Sequence, residues 1–345
     1  MNDVKFDQSG AFPVFTYKDK EGNEEFFEYH PPFNKLWRDI NYQDFKVELL
    51  INPLLKKESN LYSLYSTIGN KEERIGAVIP RNVLVSDEAI EPESLQNYVF
   101  VAYMELLKRL NEVKDSTDFS GNFEENICVA VFHLKTIGID NPLHLCIHSL
   151  RKYGYCYFQP DNNILAPLGY KAESYLKTGQ KKIHVEMQQP RLYSEPMVDM
   201  LLRAYPLASD MTHRFVLLYQ IIEYLMEEVV RPEIMVEIHK LENNEIPHND
   251  FLESMRNVNG ERARIQCIFD RCKLSDSDCR EFLDALTRLF ALVGYSPSKQ
   301  GAHNLFYAFR NQMTHSYRSL HQEKEELAIT IQHFEKLILE IVERY

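Results

Sequence analysis

The sequence predicts an α+β region over residues 1–190, followed by an all-α helical bundle over residues 195–345. Short β-type runs alternate with helical stretches in the first region, whereas apolar residues recur at helical spacing from about Ser194 onward. The length of 345 residues fits roughly two domains of ordinary size. A cluster of prolines, Pro190, Pro196 and Pro206, places the break between residues 185 and 210.

The predicted strands of the first region either alternate polar with apolar residues or form short apolar runs. They are residues 12–17, 25–29, 45–49, 74–79, 82–85 and 127–133. Residues 18–23, which include Gly22 and Asn23, predict a hairpin turn between the first two strands. Residues 98–113 predict a helix. Together these elements are typical of a mixed α and β domain.

The second region contains only predicted helices. Residues 211–230 place apolar side chains at helical spacing, and Pro232 predicts a break after them. Ser275 stands three residues before Asp278, which predicts the start of a helix that ends near Gly294. Residues 302–320 and 325–345 predict two further helices. Such helices bury their apolar faces against one another, so we expect a bundle.

The chain is acidic overall, but one segment is free of carboxylates. Lys and Arg total 39 and Asp and Glu total 51, so the net charge is −12. No Asp or Glu occurs between Ala285 and Gln322, and this window contains Arg288, Lys299 and Arg318 beside several histidines. Overall acidity argues against a broad nucleic-acid surface, whereas this window can attract a phosphate. We therefore expect any nucleic-acid contact to be local or assembled from two subunits.

Cysteine usage and the N-terminus predict a cytoplasmic protein. The sequence begins without a secretory signal and contains no run of the ~18 apolar residues that a membrane span needs. The 6 cysteines form no Cys-x-x-Cys pair, so we expect buried, reduced thiols. A zinc site of Cys267, Cys272 and Cys279 is the alternative, although their spacing fits it poorly.

Two other patterns leave alternatives open. His144 and His148 would share a face of a helix and could bind a metal, but their apolar neighbours favour packing in a core. Tyr153, Tyr155 and Tyr157 could stack on bases, but a tyrosine-lined strand is favoured. Neither pattern predicts a metal or cofactor.

The strongest functional pattern is the segment 310–317, Arg-Asn-Gln-Met-Thr-His-Ser-Tyr. In a helix over residues 302–320, Asn311 and His315 share a polar face, and the long Arg310 side chain can lean toward it. A guanidinium gives two parallel hydrogen bonds to phosphate oxygens, and an imidazole can exchange a proton near neutral pH. The segment therefore predicts phosphate chemistry.

Arg-Asn-x-x-x-His near the end of a helical bundle resembles the Arg-x4-6-His signature of the HEPN superfamily. The match here is Arg310, four residues and His315, with Asn311 directly after the arginine, as in many members. Tyr317 fits the narrower Arg-x4-His-x-Tyr form of HEPN toxins that are paired with a nucleotidyltransferase antitoxin. Glu223 resembles a glutamate that the family often carries in an early helix. The resemblance covers roughly residues 195–345.

This resemblance implies a metal-independent endoribonuclease, a nuclease with no cofactor. Arg310, Asn311 and His315 would be its catalytic residues, supported by Glu223. The 2′-hydroxyl of RNA would attack the adjacent phosphate and leave 2′,3′-cyclic phosphate and 5′-hydroxyl ends, so the substrate would be tRNA, mRNA or rRNA. The resemblance also implies a homodimer that joins two motifs in one cleft through the helical bundle.

The biological role that the resemblance implies is a toxin or antiviral-defence effector acting by abortive infection. Residues 1–190 would then form a sensor or regulatory domain, and an antitoxin or a phage-derived trigger would be a partner. Tyr317 would be the nucleotidylation site, and Lys299 and Arg318 would contact RNA. No membrane partner is expected. The alternative is a non-catalytic RNA- or nucleotide-binding HEPN module that regulates a partner, and a third option is an adaptor without nucleic acid.

Overall fold

The computed structural model describes residues 5–7, 14–18, 22–28, 40–54, 61–68, 70–84, 93–113, 124–138, 142–158, 182–185 and 195–345. The chain divides into two compact units, Met1–Pro190 and Arg191–Tyr345. The first unit contains sheets and helices, and the second is mostly helical, as the sequence predicts.

A three-stranded antiparallel sheet lies at the start of the first unit. Its strands are β1 (Lys5–Asp7), β2 (Val14–Lys18) and β3 (Glu24–Glu28), in that order. Strands β2 and β3 are those of the predicted hairpin, and Phe15 pairs with Phe27. Residues 19–21 of the predicted turn lie outside the described residues.

A curled six-stranded sheet forms the larger part of the first unit. Its strands are β4 (Phe45–Ile51), β5 (Tyr62–Ile68), β6 (Lys71–Pro80), β7 (Ile127–His133), β8 (Cys156–Tyr157) and β9 (Lys182–His184). They follow the order β8-β4-β7-β6-β5-β9, and only the β5–β9 pair is parallel. Strands β4, β6 and β7 confirm the predicted strands 45–49, 74–79 and 127–133, whereas β5 has no predicted counterpart.

Strand β7 lies inside this sheet and is buried on both faces. Its apolar run over residues 127–132 is at most 1% exposed, which is typical of a strand covered on both sides. Helix α2 (Gln96–Val113) packs across β4, β6 and β7 and confirms the predicted helix 98–113. At Gly76 on β6, an added Cβ would lie 2.4 Å from the Val131 carbonyl oxygen, so the close approach of β6 to β7 requires glycine.

One of the remaining helices of this unit corrects a prediction. Helix α1 (Arg81–Leu84) replaces residues 82–84 of the predicted strand 82–85, because Pro80 lacks an amide hydrogen and ends the ladder of β6, whereas Val85 lies outside the described residues. Helices α3 (Leu134–Ile137) and α4 (Pro142–Lys152) follow, and His144 and His148 lie in α4. The tyrosine segment 153–158 contributes only the two residues of β8.

The second unit is built from helices of very different length. They are α5 (Glu195–Asp199), which continues through a π-helical turn (Met200–Ala204) into α6 (Tyr205–Leu207), then α7 (Met211–Glu242), α8 (His248–Asn259), α9 (Glu261–Arg271), α10 (Arg280–Leu292), α11 (Ala302–His315), α12 (Tyr317–Leu320) and α13 (Lys324–Arg344). Helix α13 confirms the predicted helix 325–345, whereas α8 and α9 have no predicted counterpart.

Two helix boundaries differ from the predictions. Helix α7 continues through Pro232, although proline lacks the amide hydrogen of a regular helical residue. The predicted helix 302–320 ends at His315, because Ser316 has φ −132° and ψ 22° and leaves the helical range. Helix α12 then begins at Tyr317.

Phenylalanine rings form the core of the second unit. Phe215 of α7, Phe282 of α10, Phe306 and Phe309 of α11, and Phe334 of α13 are each at most 2% exposed. The Phe334 ring lies 5.1 to 5.6 Å from each of the other four. Edge-to-face and offset pairs of this kind add about 0.5–1.5 kcal/mol each beyond burial. The cluster therefore joins four helices at one ring.

The predicted capping pair Ser275 and Asp278 forms its hydrogen bonds in the turn before α10, although α10 itself begins only at Arg280. The Ser275 amide donates to Asp278 Oδ2 at 2.9 Å, and the Asp278 amide donates to Ser275 Oγ at 3.4 Å. Arg344 Nη2 of α13 donates to Asp278 Oδ1 at 2.9 Å. The Arg344 and Ser275 hydrogen bonds hold the pKa of Asp278 well below its usual range. In the same loop, Asp276 Oδ1 accepts from the Ala302 amide at 3.0 Å and caps α11.

Among the helices of the described residues, none combines the length and the apolar character that crossing a bilayer requires.

We expect Gly76→Ala to lower the free energy of unfolding by about 3 kcal/mol, because β6 must move away from the Val131 carbonyl. The matched control is Gly138→Ala. Nothing lies within 4 Å of a Cβ added there, and only the left-handed φ of 68° opposes it, so the loss should be about 1 kcal/mol. Urea unfolding followed by circular dichroism measures both. An equal loss in the two variants would contradict the close approach.

We expect Asp278→Asn to destabilise the second unit by up to about 1 kcal/mol at neutral pH, because the amide keeps one acceptor oxygen but loses the ion pair with Arg344. Because the folded-state pKa of Asp278 is lowered, its stabilisation is complete above its usual pKa of 3.8 and is lost as the pH falls through the folded value. The difference between the variant and the wild type should therefore shrink below about pH 4. Unfolding curves at several pH values check this, and a constant difference would argue against it.

Candidate active site

Helix α11 positions the Arg310 motif through its buried side. Phe306, Phe309 and Met313 point into the phenylalanine core. Arg310 and Asn311 consequently lie at the edge of the buried face and are partly exposed. The sequence therefore places the two polar residues of the motif where the helix meets solvent.

The Arg310 guanidinium contacts three groups. Its Nε lies 2.8 Å from Glu261 Oε1, and both side chains are about a quarter exposed. This contact is an ion pair without hydrogen-bond alignment, since Nε is buried and has no aligned acceptor among the described residues. Nη1 donates to Asn311 Oδ1 at 3.2 Å, and the guanidinium carbon lies 5.9 Å from the centre of the Tyr219 ring. Glu261 at Nε and Asn311 at Nη1 therefore fix the orientation of the Arg310 guanidinium.

Glu261 and Tyr219 bring two further helices to this point. Glu261 is the first residue of α9, and its Oε1 accepts a hydrogen bond of 2.5 Å from the Tyr219 hydroxyl of α7. Burial raises the pKa of Tyr219 strongly, and the hydrogen bond to Glu261 raises it further. The same carboxylate oxygen thus joins a neutral phenol and a guanidinium, and it fixes α7, α9 and α11 around Arg310.

The structure places Glu223 away from this contact. Glu223 is exposed on α7, one turn after Tyr219, and its charge only contributes to the raised pKa of Tyr219. Glu261, which the sequence does not single out, is the carboxylate beside Arg310. Its position directly after Gly260 at a helix start is the only sequence signal for it, and that signal is typical of an ordinary acidic first turn.

His315 and Tyr317 lie on opposite sides of the break at Ser316. His315 is exposed at the end of α11, and its ring makes no hydrogen bond or ion pair with any residue that the structure describes. The Tyr317 hydroxyl and His321 Nδ1 share a hydrogen bond of 2.9 Å. Arg318 lies after this break, in α12, and so does not belong to the same helix as Asn311 and His315.

The remaining predicted contacts are distributed around this helix. Lys299, in the loop before α11, and Arg318, in α12, are both exposed. Asn304, which would share the polar face, accepts from Arg262 Nη2 and donates to the Gln300 carbonyl at 2.5 Å. Arg310 and Asn311 of the motif therefore contact each other, whereas His315 is exposed about 1.4 turns after Arg310 along α11.

The metal alternatives find no support in the described ranges. None of the six cysteines, all of which lie among the described residues, forms a disulfide, and five of them, including Cys272 and Cys279, are buried. Among these residues no group of three or more His, Cys, Asp or Glu side chains is placed to hold a metal ion. His148 is fully buried in α4, where its Nε2 lies 3.2 Å from Ser149 Oγ.

No protein-family model matches this chain, and no match is found among curated proteins or solved structures. The resemblance to the HEPN superfamily therefore depends on the motif residues and on their helical setting.

We expect a double-mutant cycle between Glu261→Gln and Arg310→Gln to give a coupling energy of about 1 kcal/mol, because the pair is partly shielded from water. The control cycle combines Glu223→Gln with Arg310→Gln and should give less than about 0.3 kcal/mol. Urea unfolding of the single and double variants measures both. Coupling of Arg310 to Glu223 rather than to Glu261 would refute the geometry described above.

Proposed function

We propose that this chain is a metal-independent endoribonuclease effector of the HEPN type. The observation that supports this most directly is the fixed Arg310 guanidinium, held by Glu261 and Asn311 on the helix that ends in the exposed His315. This helix lies in a segment that contains no carboxylate from Ala285 to Gln322. A positioned cation and an exposed imidazole on one helix supply the two kinds of group needed to cleave a phosphodiester without a metal.

The proposed reaction removes one proton from the attacking hydroxyl and adds one proton to the leaving oxygen. The RNA 2′-hydroxyl gives its proton to a base as its oxygen bonds to the phosphorus, and the bond to the 5′-oxygen breaks as an acid protonates that oxygen. Arg310 would bind the non-bridging oxygens, where negative charge develops. His315 would transfer protons, and Asn311 and Glu261 would position Arg310. The products are 2′,3′-cyclic phosphate and 5′-hydroxyl ends.

A second copy of the chain would complete this site. The reaction needs one base and one acid at the same time, and one His315 cannot be deprotonated and protonated together. Two copies related by a two-fold axis would place two His315 rings on either side of one phosphate. They would also place two Arg310 residues together, which strengthens a local positive field on an acidic chain. We therefore propose a homodimer formed through the helical bundle.

The biological role follows from the family resemblance. An endoribonuclease of this type would act as a toxin or abortive-infection effector in the cytoplasm and cleave tRNA, mRNA or rRNA. The first unit would be the sensor or regulatory domain, and an antitoxin or a phage-derived trigger would be its partner. Tyr317 would be a nucleotidylation site, where added negative charge near Arg310 would oppose RNA binding. Glu223 would have at most a supporting role, through its charge near Tyr219.

A non-catalytic RNA- or nucleotide-binding module is the second candidate. The observation that favours it is the ion pair itself, since Glu261 offsets part of the positive charge of Arg310 before any phosphate arrives. In this case the chain would bind RNA through Lys299 and Arg318 and regulate a partner without cleaving RNA.

We expect His315→Ala to lower RNA cleavage by roughly 10²–10⁴-fold and Arg310→Ala by roughly 10²–10³-fold, with RNA binding retained in the histidine variant. The control is Arg231→Ala, an arginine whose side chain is 73% exposed on α7, and it should cleave at the wild-type rate. Gel analysis of labelled RNA with EDTA present measures the rates. Mass spectrometry of the product ends should find 2′,3′-cyclic phosphates.

Two results would count against the enzyme. Cleavage that disappears in EDTA would indicate metal chemistry. Binding of RNA without cleavage by the well-folded wild type would favour the non-catalytic module, and absence of binding even at low salt would leave only an adaptor.

A further inference from the structure

Tyr307 of α11 differs from the other tyrosines of residues 195–345. The others have partners: the hydroxyls of Tyr205, Tyr219, Tyr317 and Tyr345 are hydrogen-bonded, the Tyr295 ring packs on Phe290, and Tyr224 is engaged as well. Tyr307 is half-buried, and it makes no hydrogen bond, ion pair or ring contact with any residue that the structure describes. A buried or structural tyrosine normally finds a partner, so this ring is available to a ligand.

The position of Tyr307 relates it to the proposed phosphate site. Residues three apart on a helix are neighbours, with their Cβ atoms about 5–6 Å apart. Tyr307 therefore stands one turn before Arg310 on the same side of α11, opposite the buried Phe306 and Phe309. A group bound by Arg310 and a flat group bound by Tyr307 would belong to one small ligand or to one nucleotide.

The surroundings of Tyr307 select the chemistry of that ligand. The solvent-facing side of α11 carries His303, Tyr307, Arg310 and Thr314 and has no carboxylate of its own. An aromatic face beside a guanidinium is suited to a base and its phosphate, because every nucleobase has a π face and every phosphate is anionic. An acidic peptide would satisfy the cation but would leave the ring unused.

We propose that Tyr307 is a stacking platform for an unpaired nucleobase next to the phosphate bound by Arg310. The substrate class is therefore RNA that is single-stranded at the cleavage position. In a duplex the base faces are covered by their neighbours, so a tyrosine cannot stack on them without unstacking the helix. This inference rests on the proposed RNA function and adds to it both a specificity residue and a substrate class.

The test uses binding, which separates recognition from cleavage. The full-length chain with His315→Ala provides the background, so that RNA stays intact. The probe is a short fluorescein-labelled oligoadenylate, used alone or annealed to oligouridylate, and fluorescence anisotropy gives Kd. We expect the single strand to bind more tightly than the duplex, and Tyr307→Ala to weaken single-strand binding by about tenfold or more.

Matched variants distinguish stacking from packing. Tyr307→Leu keeps most of the apolar volume but removes the π face and should bind as weakly as Tyr307→Ala. Tyr307→Phe and Tyr307→Trp retain a π face and should bind like the parent. Tyr295→Ala removes a partly exposed tyrosine that packs on Phe290 and should leave Kd unchanged. Melting temperatures of all variants verify that each is folded.

The possible failures are distinguishable. If the wild type cleaves RNA but Tyr307→Ala and Tyr307→Leu bind and cleave like the parent, the stacking role is wrong and the endoribonuclease proposal stands. Equal binding and cleavage of single strand and duplex would also overturn it. If the wild type neither binds nor cleaves any RNA at low salt, both proposals are wrong.

Discussion

The phenylalanine cluster around Phe334 is the constraint on which the second unit depends. Because Phe306 and Phe309 of α11 must reach this cluster, the rotation of α11 about its own axis is fixed. The positions of the neighbouring residues around the helix axis are then fixed as well. Arg310 comes to the edge of the core, and Tyr307 comes to the solvent face. Apolar packing therefore decides which polar groups of the helix can meet a ligand.

Placing an arginine at the edge of a core creates a second requirement. A partly buried guanidinium is costly unless a charged partner and hydrogen-bond acceptors accompany it. Glu261 at the start of α9 supplies the charge, and the Tyr219 hydroxyl on α7 occupies the same carboxylate oxygen. Three helices therefore converge on one side chain. Their arrangement stabilises the bundle and orients Arg310 at the same time, so the structural and functional roles of this contact cannot be separated by burial alone.

The predictable parts of the chain are those where local pattern and tertiary packing agree. Strands β4, β6 and β7, helices α2 and α13, and the cap formed by Ser275 and Asp278 follow from periodicity and short-range chemistry. The misses depend on distant contacts. Helix α7 runs through Pro232 without ending, and Ser316 interrupts a pattern that would otherwise continue. The pairing of Glu261 with Arg310 could not be predicted for the same reason, since only the folded bundle brings the two side chains together.

The ion pair with Glu261 need not compete with a phosphate for Arg310. A guanidinium has five N–H donors. Glu261 occupies the Nε edge, and Asn311 takes one hydrogen of Nη1, so three hydrogens on the two terminal nitrogens remain. Two of these can form the parallel pair of bonds that phosphate oxygens favour, while the carboxylate still holds Nε. The Glu261 carboxylate would then lower the net positive charge of the site, but it would also hold the remaining N–H donors of Arg310 in a fixed orientation. An acidic partner at Arg310 is therefore compatible with the proposed RNA chemistry on an acidic chain, because such binding would depend on a few oriented donors more than on a broad positive surface.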